Sequence, residues 1–104
     1  MPTMSLIEIV QDIHAMDEEL RHYEARYGLR SEYFYELYRA GRLSDEDPLE
    51  ARDYSDWAAC YEIKRHREEL YDALIRDALQ KAREEGPLSL AELKLTLVSS
   101  SLLV

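Results

Sequence analysis

Three glycines and three prolines in 104 residues leave this chain few places to turn. Neither residue occurs between Pro2 and Gly28, nor between Pro48 and Gly86. Nothing in those stretches stops a helix, so the fold class is set first by where the breakers fall. In the first stretch, Leu6, Ile9, Ile13, Met16, Leu20, Tyr23 and Tyr27 recur at alternating steps of three and four. That is an unbroken apolar seam over about three heptads. Ser5 and Glu8 have the spacing of a capping box, and Gly28 supplies the left-handed residue common just past a helix end. The spacing therefore predicts a helix over 6–27, roughly 35 Å long at 1.5 Å per residue.

Ser31 reads as the cap of a short second helix with Phe34, Leu37 and Tyr38 on one face and Gly41 as its stop. After the polar connection 42–47, Asp47 before Pro48 forms another start signal: a capping carboxylate, with proline where its missing N–H does no harm. The helix begun there meets no breaker before Gly86–Pro87, although Ser55 offers a restart near 54–56. Trp57, Tyr61, Leu70, Leu74, Ala78 and Ala82 lie near one face, with Ile63, Tyr71 and Ile75 beside it. The expected fold is all-α: a long antiparallel helical hairpin with a short intervening helix. Such a pair buries little alone, and Ile7, Val10 and Tyr71 lie beside the main stripes, so a homodimer is expected.

Residues 87–104 differ from 1–86. All charged residues except Glu92 and Lys94 belong to the first 86, which read as an acidic helical domain; the rest reads as an apolar C-terminal arm. Leu93, Leu95 and Leu97 alternate with Glu92, Lys94 and Thr96, the period of a half-buried strand. Ser89 and Glu92 also match a capping box, so a helix starting near residue 90 is the competing reading. The alternation favours the strand. No other segment reads as a strand, and buried strand edges need backbone partners. The arm is therefore expected to find its partner on another chain.

A net charge of −9 and a pI near 4.7 argue against direct nucleic-acid binding, which needs clustered Lys and Arg. The same charge would steer a basic protein onto the chain, or merely keep a small helical protein soluble. One cysteine, Cys60, excludes an internal disulfide and a multi-cysteine zinc site. No secretory leader pattern or membrane-length apolar run is present, so the expected compartment is the cytoplasm.

Residues able to carry chemistry are present but poorly arranged. Glu19 and His22 have the i, i+3 spacing of di-iron bundles, but such a site needs a second pair, and Glu62 and His66 are four apart. His14, Glu18 and His22 share a helical face where zinc can be imagined, yet 22 acids make such alignments common by chance. Glu92-Leu93-Lys94 matches an element of some metal-dependent nucleases without the α/β core they need. Arg65 and His66 are adjacent, the wrong geometry for a helical RNase pair. Cys60 has no histidine on its helical face and reads as a packing residue beside Trp57 and Tyr61. There is no glycine loop for phosphate. No catalytic residue, cofactor or metal is expected.

Eight tyrosines are too many for so thin a core. They suit either its polar border or a partner surface. Tyr33 and Tyr35 flank Phe34 and so leave the face it buries. The run from Glu19 to Leu43, the gap after it and the run from Asp53 to Leu70 contain Tyr27-Gly28, Ser31-Glu32, Phe34-Tyr35, Gly41-Arg42-Leu43, Asp45 and Asp56-Trp57. Over residues 18–70 this pattern resembles small acidic helical proteins encoded in prokaryotic toxin–antitoxin operons. The resemblance implies an antitoxin-like protein that binds and masks a toxin enzyme.

The sequence thus points to a non-enzymatic protein-binding module with a basic partner. Its expected contact residues are Leu93, Leu95, Leu97, Val98, Tyr33 and Tyr35. The alternatives are a self-assembling scaffold homodimer with swapped tails and, third, a metal-binding helical bundle.

Overall fold

The structure, a computed structural model, describes residues 3–84, 86–87, 89–99 and 101–103. It is mostly helical. A short strand β1 (Thr3–Ser5) precedes α1 (Leu6–Tyr27), α2 (Ser31–Arg39), α3 (Pro48–Glu84), α4 (Leu90–Ser99) and a second short strand, β2 (Ser101–Leu103).

The first three helix starts follow the local chemistry, with one correction. Glu8 N–H donates to Ser5 Oγ at 3.3 Å, the forward bond of a capping box, and the Ser5 hydroxyl itself donates to Glu8 Oε1 at 3.2 Å. Asp47 Oδ1 accepts from Leu49 N–H at 2.9 Å and more weakly from Glu50 N–H at 3.4 Å, with Pro48 as the first residue of α3. Gly28 ends α1 with φ +69°, and its N–H reaches Glu24 C=O at 2.8 Å. Ser31, however, is not the cap of α2. That position falls to Arg30, whose side chain makes no capping bond. The N–H of Ser31 is taken instead by Glu24, a side chain of α1. Nor does α3 restart at Ser55: its 37 residues are continuous.

The tail overturns the strand reading. Residues 90–99 are helix, and the capping box decides it: Glu92 N–H donates to Ser89 Oγ at 3.1 Å. Leu, Ala, Glu and Lys are strong helix formers, and no β-branched residue occurs among residues 90–95 to oppose them. The tail residues that do form a strand, 101–103, pair antiparallel with residues 3–5 of the same chain, Met4 opposite Leu102. The N-terminal strand carried no sequence signal because three residues are too short to show a period.

The chain divides into two compact units. Unit 2 is continuous, residues 14–65. Its core is Leu20, Phe34, Trp57 and Ala58, bordered by Tyr23, Tyr27, Leu29, Tyr35, Leu43, Tyr54, Cys60 and Tyr61. Within it Asp17 pairs with Lys64 and Arg26 with Asp53, so its α1 and α3 segments run antiparallel. Unit 1 joins residues 1–13 to 66–104, and among its described residues Leu6, Ile9 and Ala78 are buried. The seam predicted on α1 is inward along its length: Leu6, Ile9 and Leu20 are buried, and Ile13, Met16, Tyr23 and Tyr27 are half-buried.

Candidate functional site

In unit 2 the aromatic residues build a stack around one indole. The Phe34 ring lies 3.8 Å from Trp57, tilted by 3°, and Tyr23 and Tyr27 lie 5.6 and 5.7 Å from it at 15° and 17°. An indole N–H buried this deeply needs an acceptor. Trp57 Nε1 donates to Ser31 Oγ at 2.9 Å, and Ser31 Oγ donates in turn to Glu24 Oε2 at 2.7 Å. The same carboxylate oxygen accepts Ser31 N–H at 2.7 Å. Ser31 is the buried polar residue of the unit, and this chain satisfies it. Glu24 thus serves twice: it caps α2, whose N-terminus favours negative charge, and it anchors the Trp57 network.

That carboxylate borders a polar cleft of about 230 Å³. Asp17, Glu24 and Glu32 face Arg21, Arg30 and Lys64 around it, with Leu20 and Tyr61 as its apolar wall. Lys64 Nζ lies 2.7 Å from Asp17 and Arg30 Nε lies 3.6 Å from Glu32. Arg21 makes no ion pair among the described residues.

Beyond the cleft, the tyrosine hydroxyls find carboxylates at the core's margin. Asp53 Oδ2 accepts from Tyr27 OH and from Arg26 Nη1, both at 2.6 Å. The hydrogen bond to Asp53 pushes the Tyr27 hydroxyl up to about 12. Asp53 is held below the usual carboxylate range by Tyr27 first and Arg26 second. Tyr35 OH bonds Glu62 at 2.7 Å, which raises it too, and its ring meets Tyr61 at 4.9 Å. Burial pushes the Cys60 thiol up, with Glu19 and Asp56 adding to the effect. Cys60 packs against the Trp57 cluster, the role its sequence context suggested.

The residues expected to meet a partner are dispersed. Tyr33 is 56% exposed, whereas Tyr35 is half-buried and tied to Glu62. Tyr33 and Tyr35 lie in unit 2; Leu93, Leu95, Leu97 and Val98 lie in unit 1. On α4, Leu95 is 74% exposed and Leu93 half-buried; the side chain of Val98 lies outside the described residues. Leu97 lines an apolar groove of about 130 Å³ with Leu6, Ile7, Val10 and Tyr71. Leu90, not singled out from the sequence, is the most exposed large apolar residue described, at 80%. On a helical wheel it falls beside Leu97, on the groove side, so its exposure carried no signal in the sequence. His14, Glu18, Glu19 and His22 are exposed, and no three His, Cys, Asp or Glu side chains gather as a metal site needs among the described residues. No helix among them is long and apolar enough to cross a membrane.

No family model, curated protein or solved structure matches the chain.

Proposed function

We propose that the chain is a non-enzymatic protein-binding module, antitoxin-like in action, that binds and masks a basic partner protein in the cytoplasm. The observation that carries this is the pairing of an acidic body with apolar surface on α4. The net charge is −9, while Leu90 and Leu95 stand 80% and 74% exposed on a helix whose Leu97 turns into the groove. Charge of one sign attracts a partner over a distance of about 8–10 Å at physiological salt, and exposed leucines supply contact once it arrives. The resemblance of residues 18–70 to antitoxin-like proteins supports a toxin enzyme as that partner. The groove bordered by Ile7, Val10 and Tyr71 also supports self-association into a homodimer.

Co-expression with the products of flanking genes tests the reading. The expected result is a complex of fixed stoichiometry with a basic product, weakened by salt and lost in a Leu90→Asp/Leu95→Asp variant that keeps its helical circular dichroism. A complex indifferent to both changes, or none with any flanking product, would overturn it.

A further inference from the structure

The cleft of unit 2 carries a more specific assignment, which rests on the reading of a basic partner. Its lining is balanced, three acids against three bases, so charge count does not choose its ligand. The arrangement does. The natural anion seat here is the N-terminus of α2, where backbone N–H groups point outward. The protein has filled that seat with its own Glu24, which takes both the N–H and the hydroxyl of buried Ser31 on Oε2. Neither donor remains for an incoming anion. Two of the three cations are engaged, Lys64 with Asp17 and Arg30 with Glu32. Oε1 of Glu24 accepts no hydrogen bond among the described residues. It belongs to a carboxylate that is fixed in place through Ser31 and Trp57 and lines the cleft.

We propose that this cleft receives a guanidinium side chain of the basic partner, bonded to Glu24 and lying along Leu20 and Tyr61. A planar cation that donates in its plane and is weakly hydrated on its faces suits a carboxylate beside an apolar wall; a compact ammonium does not. Tyr61 already carries one guanidinium: Arg65 lies 5.8 Å from its ring centroid. The volume, about 230 Å³, accommodates the head group and part of its aliphatic stem. Arg21, one turn before Glu24, opposes the incoming charge, which fixes the sign of its substitution.

The test is a titration of the full-length isotope-labelled chain with N-acetyl-arginine amide, followed at the indole N–H resonance of its single tryptophan. Trp57 senses Glu24 through Ser31, so occupancy of the cleft shifts that resonance. Saturable binding is expected, no tighter than about 1 mM for one side chain. Glu24→Gln should weaken it at least tenfold, and Arg21→Ala should tighten it. Should Glu24→Gln disturb the fold, the direction of the Arg21→Ala change still decides. Absence of a saturable shift, equal binding of N-acetyl-lysine amide, or a shift by inorganic phosphate that Arg21→Ala abolishes would each overturn the assignment. The wider reading fails separately. Partner binding undiminished in Glu24→Gln removes the cleft alone, whereas probe binding in a chain that binds no basic protein removes the wider reading alone.

Discussion

The two units solve the problem of a small core in opposite ways. Unit 2 concentrates its aromatic residues on one indole and closes the one buried hydroxyl with a carboxylate. Among its described residues, unit 1 buries two aliphatic side chains and an alanine, and leaves Leu90 and Leu95 outside. The contrast lies in what each core is made of, rings in one and aliphatic side chains in the other. Unit 2 gathers its rings internally yet still exposes Tyr33, Leu49 and Ile63, so exposed apolar surface is not confined to one unit; on α4 it stands beside an apolar groove, and that combination marks an interaction surface.

Substitutions can break this contrast, beginning with the most severe. Trp57→Ala removes the centre of the stack and the donor to Ser31 Oγ; it should cost about 3–5 kcal/mol in denaturant unfolding. Leu20→Ala, in the same core, should cost about 2–5 kcal/mol. If either costs less than the matching Leu6→Ala in unit 1, the aromatic unit is not the better-packed one. Ser31→Ala tests the polar part by itself. It leaves the buried Trp57 N–H without an acceptor, and a loss of about 1–3 kcal/mol is expected by the same measurement.

The Asp53–Tyr27 pair gives a smaller effect whose sign depends on pH. The Tyr27 hydroxyl is raised from its ordinary value of 10 to about 12, so its contribution is complete below 10 and lost as pH climbs toward 12. Asp53 is depressed, so its contribution is present above the ordinary carboxylate value and lost as pH falls through the folded one. Tyr27→Phe should flatten the alkaline limb of the stability curve and Asp53→Asn the acid limb. Thermal melts across the pH range measure both.

The smallest effect on folding belongs to the exposed leucines of α4. Leu95→Asp should change stability by less than about 0.5 kcal/mol, because the side chain is 74% exposed. Leu97→Asp, in the groove, should cost more. Equal costs would mean that α4 has no preferred face. Light scattering sharpens the same point: a homodimer that uses the Ile7, Val10 and Tyr71 side should bury at least about 1,200 Å² in total. A monomer at high micromolar concentration would remove self-association from the reading.

Much of this fold was legible in the residues, because its helix ends are written in local chemistry. Ser5 with Glu8, Asp47 with Pro48, and Gly28 each act within a few positions of themselves, so the spans 6–27 and 48–84 could be read directly. The cleft could not. Glu24 and Ser31 are seven residues apart and Ser31 and Trp57 twenty-six, and their union depends on how α2 turns back on α1. Ser31 looked like a cap because serine at a helix start usually is one. A carboxylate from the preceding helix outcompeted it. In the tail two local signals disagreed, and capping prevailed over alternation because Leu, Ala, Glu and Lys have no objection to a helix.

The borrowed cap of α2 has a consequence for the order in which hydrogen bonds open. Nine residues are too few to hold a helix in water, and this one does not bring its own cap. A peptide spanning residues 30–41 should therefore be coil. In the intact chain, the amide of Ser31 should exchange with solvent only when Glu24 lets go of it, in step with the α1 amides around residue 24 and not with the exposed end of α2. Protection would then fall along α2 from Phe34 toward Arg39, and Glu24→Gln would shorten exchange times across the whole helix from a position outside it.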